Sequence, residues 1–139
     1  MELRYAVMCD FFTQGHRGKT TIVNTFDTVY HVDPSKPIVL PRCFLVASFD
    51  ASVAEGSSHK LTVRLLNADG DDVMPLVADI PLTFTPRGPG YPLRADFYVE
   101  LVNIRLPDVG DYDFELVVSG TRLGRVGFYV VRPAGVQAP

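Results

Sequence analysis

The residues that invite chemistry in this chain are a glycine–lysine–threonine run, two acidic turns, and scattered histidines and cysteines. Gly18-Lys19-Thr20 has the ending of a phosphate-binding loop, in which backbone amides and a lysine cradle phosphates ahead of a helix. That loop needs a glycine where this chain has Thr13, and a helix where Thr20 to Thr28 is β-patterned, so the run is expected to be a hairpin turn. Asn67, Asp69, Asp71 and Asp72 form one acidic cluster, and Asp108, Asp111 and Asp113 form another. Both offer the hard oxygens that calcium takes, but neither follows the EF-hand loop: Gly70 falls too early and no glutamate closes it. Solvated turns are the expectation, with a ligand- or calcium-binding accessory domain as the alternative. His16, His31 and His59 lack the short spacings of zinc ligands. Cys9 and Cys43 lie in apolar strand patterns, where thiols are buried and inert; their spacing allows a bridge without requiring one. The reading is of a non-enzymatic protein with no catalytic residue, no metal ligand set and no cofactor.

The totals agree with an ordinary globular domain. The chain has 139 residues, 47% hydrophobic and 21% charged, enough for one real core without staples. A net charge of -3 with the signs interspersed leaves no basic stripe for nucleic acid. The first apolar run stops at Asp10, too short for a signal peptide, and no run approaches the length of a membrane helix. The expectation is a cytoplasmic protein that binds neither nucleic acid nor membrane.

The elements that must position any site are strands. Period-two patterns and β-branched residues dominate, with no convincing helical face. About eight strands are expected, over residues 3–9, 19–30, 42–49, 60–67, 73–80, 96–106, 111–119 and 122–131. The first two should form a hairpin through Gly15 to Gly18, and the strand at 73–80, interrupted by Pro75, should sit at a sheet edge. Leu61, Val63 and Leu65 should share one face, as should Tyr112, Phe114, Leu116 and Val118. Leu123 is out of phase with Val126, Phe128 and Val130, so a bulge is expected at Gly124. Residues 1–131 are expected to form a single domain, followed by a flexible C-terminal tail at 132–139.

Two features suit contact with a partner. The segment 81–92, with Pro81, Pro86, Pro89 and Pro92, reads as the longest loop, and its Phe84, Arg87 and Tyr91 are candidate binding residues. Unpaired sheet edges are the other, since they can add a strand from another chain or from a second copy. The functional expectation is a binding or assembly module acting through loops or edges on a protein partner, or as a homo-oligomer.

The segment Val99, Leu101, Asn103, Ile104 and then Asp108-Val109-Gly110-Asp111-Tyr112-Asp113-Phe114 resembles the E strand, corner and F strand of immunoglobulin-like domains. The resemblance implies an all-β, immunoglobulin-like antiparallel sandwich, with Asp108, Gly110 and Tyr112 as its structural corner and the tyrosine hydroxyl bonded back to the backbone. The chain lacks the tryptophan and the paired cysteines of antibody-type domains. Cys9-Asp10-Phe11, Gly18-Lys19-Thr20-Thr21-Ile22 and Phe26-Asp27 resemble an uncharacterised family of small bacterial all-β proteins, which implies no catalytic residue.

Overall fold

A computed structural model describes residues 1–134. Among them the chain forms β1 (Glu2–Gln14), β2 (Thr20–Thr25), β3 (Thr28–Tyr30), β4 (Ile38–Val39), β5 (Cys43–Ala51), β6 (Ser58–Asn67), β7 (Asp72–Thr83), β8 (Leu93–Leu101), β9 (Arg105–Leu106), β10 (Gly110–Val118) and β11 (Thr121–Val131). Each expected strand has a counterpart, but 19–30 is divided into β2 and β3 and 96–106 into β8 and β9, and β4 is a short addition that period-two patterns do not register. Of the expected tail 132–139, residues 135–139 lie outside the described residues.

The strands assemble into a four-stranded sheet in the order β2-β1-β5-β8 and a five-stranded sheet in the order β3-β11-β10-β6-β7, with β4-β9 as a separate pair. All pairings are antiparallel except β3 on β11. Alternation explains why the sheets share one core. Leu45, Ala47 and Phe49 point inward from β5, and Leu61, Val63 and Leu65 from β6, where they join Phe114, Leu116 and Val118 from β10 in a single buried cluster. Within it Phe128 stacks between two rings, with Tyr112 at 5.4 Å and Phe114 at 5.3 Å between centroids.

The structure departs from the sequence reading where one long strand is expected. Residues 19–30 do not form one strand: Asn24, at φ 55, bends the chain at the end of β2. Phe26 N–H donates to Met8 O at 3.1 Å in the first sheet, and Tyr129 N–H donates to Asp27 O at 2.8 Å in the second. The chain therefore changes sheet at Phe26–Asp27, and Phe26 packs on the core as it crosses. In the same way β8 stops at Leu101, Asn103 takes φ 56, and Arg105–Leu106 pairs with β4. Asparagine tolerates this left-handed region better than most residues, so both breaks fall where the cost is least. The bulge in β11 is present: Leu116 faces Gly124 and Val117 faces Arg122, leaving Leu123 unopposed.

Tyr112 is buried beneath the turn before β10. Its hydroxyl donates to Asp108 O at 2.6 Å and accepts from Asp108 N–H at 3.3 Å. Tyr112→Phe leaves the ring in its stack and deletes only these bonds, so urea unfolding should show a loss of about 1 kcal/mol or somewhat more. A change near zero would mean that the hydroxyl does not hold the corner.

Candidate functional site

The proline-rich segment divides into residues with opposite fates. Phe84 is expected from sequence to be a contact residue, and the structure corrects this: it is 1% exposed and belongs to the core. The physical reason is that β7 runs on to Thr83, while Thr85 and Arg94 exchange two backbone hydrogen bonds, at 2.8 and 3.0 Å. Those bonds hold Phe84 against the sheet, where its ring meets His59 edge-on at 5.3 Å. Arg87 and Tyr91 are exposed, as expected. They face each other, with the guanidinium 5.8 Å from the ring centroid, and Arg87 Nε–H donates to Pro92 O at 3.3 Å. This loop closes on itself.

The acidic turns are likewise engaged locally. The Asn67 side-chain oxygen accepts from the N–H groups of Asp69 and Asp71, both at 3.0 Å. Arg64 holds Asp72 through two bonds of 3.0 Å, and that guanidinium keeps the Asp72 carboxyl below its ordinary value. Asp113 pairs with Arg125 at 3.5 Å, and Asp108 accepts from Val109 N–H at 2.8 Å. Among the described residues no group of three or more His, Cys, Asp or Glu is placed to hold a metal.

Cys9 and Cys43 are free and buried. Cys9 opposes Phe44 across β1 and β5, so adjacent Cys43 projects from the other face of the sheet. Burial, then the proximity of Cys9 and Asp10, pushes the Cys43 thiol up to about 12. Burial likewise raises Cys9. In the native protein both thiols should therefore resist Ellman's reagent at pH 8 and react only as the domain unfolds. Rapid stoichiometric labelling without denaturant would contradict their placement.

His59 is a clasp. Its Nε2 lies 3.0 and 3.1 Å from the carbonyl oxygens of Glu55 and Gly56, acceptors that require Nε2 to carry the proton. Its Nδ1 then accepts from the Ser119 hydroxyl at 2.8 Å. The ring thus ties the loop before β6 to the turn between β10 and β11.

The sheet edges differ sharply in protection. β7 includes Pro75 and Pro81 and shifts register against β6 at three points. β8 carries Arg94, Asp96 and Glu100, and its start is covered by Thr85. β3 has only three residues. The part of β11 without a strand beside it carries Arg122 and Arg125, and the corresponding part of β1 carries Glu2 and Arg4 with a bulge beside them. β2 is the exception. Thr20-Thr21-Ile22-Val23-Asn24-Thr25 has no charge, proline or glycine, and it pairs with β1 without a register shift. Val23 sits opposite Phe11, and the two are 39% and 54% exposed on the same face. Phe12, opposite Ile22, packs against Phe44 at 5.2 Å and Tyr98 at 4.5 Å, and Phe11 meets the same Phe44 ring edge-on at 6.4 Å, which anchors the hairpin. Sequence reasoning points to edges in general and misses these residues. The lack of charge at 20–25 is visible in the sequence, but sheet order is not.

A family model matches residues 4–131. The chain belongs to DUF6941, a family of unknown function. No curated protein and no solved structure matches the chain. The matched span of this DUF6941 domain runs from β1 to the end of β11 and so includes β2, the Tyr112 corner and the motifs that carried the family resemblance. Among its described residues no helix is long and apolar enough to cross a membrane.

Proposed function

We propose that this domain is a non-enzymatic assembly module that binds protein by adding a strand to the edge of β2. The observation that carries the reading is the contrast between edges. Sheet edges expose unpaired N–H and C=O groups, and proteins blunt them with charge, proline, bulges or brevity. Each of the other free edges of the two large sheets carries such a device, whereas β2, bent only near its end at Asn24, is uncharged and carries Val23 beside the exposed Phe11 of β1. Strand addition draws affinity from main-chain hydrogen bonds and specificity from side chains on alternate positions, both of which β2 offers.

The outer face of the five-stranded sheet supports the same choice by its unsuitability. Arg64 pairs with Asp72 and Glu115, Arg122 with Glu115, and Arg125 with Asp113, so a partner docking there would have to displace water from a paired charge lattice. For the architecture, we read an immunoglobulin-like sandwich: two sheets over one core and a tyrosine bonded to the backbone before its own strand support it.

Sedimentation of the 15.4 kDa chain, purified and in extract of its native host, tests the function. Wild type should sediment as a complex in at least one of the two, and Val23→Lys as the bare chain in both. Bare-chain sedimentation of wild type in both, or complexes unchanged by Val23→Lys, would sink the reading.

A further inference from the structure

Resting on the β2 edge as the assembly surface, the geometry points to a second copy of this chain as its occupant, with the two β2 strands antiparallel and Val23 facing Val23. A two-fold axis through such a pair places one residue opposite its own copy, so a charge at the centre would meet a like charge. β2 has none over Thr20–Thr25.

Two independent features choose Val23 as the centre. The first is the apolar row. Val23 opposes Phe11 across β1 and β2, so Val23 against Val23 gives a continuous row of Phe11, Val23, Val23 and Phe11 on the exposed face of the joined sheet. This row covers side chains that are 39% and 54% exposed in the single chain. The alternative centre, Ile22, is already half-buried opposite a half-buried Phe12, which packs against Phe44 and Tyr98, whereas Phe11 stays exposed although its ring meets Phe44 edge-on.

The second feature is charge. Lys19 precedes β2 and Asp27 follows it, and neither enters an ion pair among the described residues. With Val23 central, Thr21 faces Thr25 of the second copy, and Lys19 lies at the end of the pairing where the second copy's chain turns to its other sheet, with Asp27 just past that turn. Two-fold symmetry repeats the arrangement, so each otherwise unpaired charge gains an opposite one nearby. The joined sheet has eight strands, with the protected β8 at both outer edges.

The test combines cross-linking with charge exchange, read on the purified full chain. Val23→Cys should form an intermolecular disulfide with itself under mild oxidation, and Thr21→Cys, whose counterpart is Thr25, should not. Lys19→Glu and Asp27→Lys should each weaken self-association by about tenfold, and the double exchange should restore most of it. Circular dichroism should show each variant folded, because all these positions lie on or beside the exposed edge. A purified chain that stays monomeric at every concentration, while Val23→Lys still abolishes a complex seen in extract, would overturn the second copy and leave strand addition standing. A dimer indifferent to Val23→Lys would overturn both. Cross-linking through Thr21→Cys in place of Val23→Cys, or a double exchange that fails to restore association, would overturn this pairing.

Discussion

Phe128→Ala is expected to destabilise the domain by about 5 kcal/mol, enough to leave a marginal domain largely unfolded at 37 °C. Phe128 is completely buried, and its ring is the middle of the stack with Tyr112 and Phe114. Truncation removes the transfer free energy of a large ring, opens a cavity between rigid strands, and separates two aromatic pairs. β10 and β11 are locked by a long antiparallel register, so the walls cannot collapse into the space. Chemical denaturation of wild type and variant in the same buffer would measure the effect. A loss under about 2 kcal/mol would show that the stack relaxes where packing says it should not.

Phe84→Ala should cost about 3–5 kcal/mol by the same argument, although the position lies just before a proline-rich turn. Its ring is buried in the shared core against His59, and the backbone on either side is pinned: Phe84 N–H donates to Ser57 O at 2.8 Å, and Thr85 pairs with Arg94. If Phe84 were a contact residue instead, the substitution would weaken association and leave stability nearly untouched. Measuring the midpoint of denaturation and the sedimentation of the same variant therefore separates the two roles.

These two phenylalanines mark how far the sequence is legible. Phe128 keeps period with Val126 and Val130, and alternation alone places it in the core of an antiparallel sheet. Leu61, Val63, Leu65, Tyr112 and Phe114 are readable for the same reason, as is the bulge beside Gly124. Phe84 is not, because prolines on both sides suggest loop, and only the pairing of Thr85 with Arg94 reveals that the segment is held to a sheet. Pairing between distant strands leaves no local pattern. The break at Phe26–Asp27 is hidden for a related reason: β2 and β3 both read as strand, and nothing nearby says that they belong to different sheets.

The candidate site shows the same limit. The acidic turns are readable as turns from Asp and Gly alone, and Arg87 and Tyr91 are readable as exposed. The β2 edge is not, because an edge is defined by which strand is absent beside it. The uncharged run Thr20–Thr25 acquires meaning only once the sheet order puts it outermost.

Hydrogen–deuterium exchange of the purified chain across a concentration series tests the proposed self-assembly through β2 most directly. Assembly through this edge predicts that amides within Thr20–Thr25 slow as concentration rises, while those of β7 and β8 exchange at constant rates. Exchange in Thr20–Thr25 that is the same at every concentration, or protection gained at another edge, would contradict a second copy as the occupant of this edge.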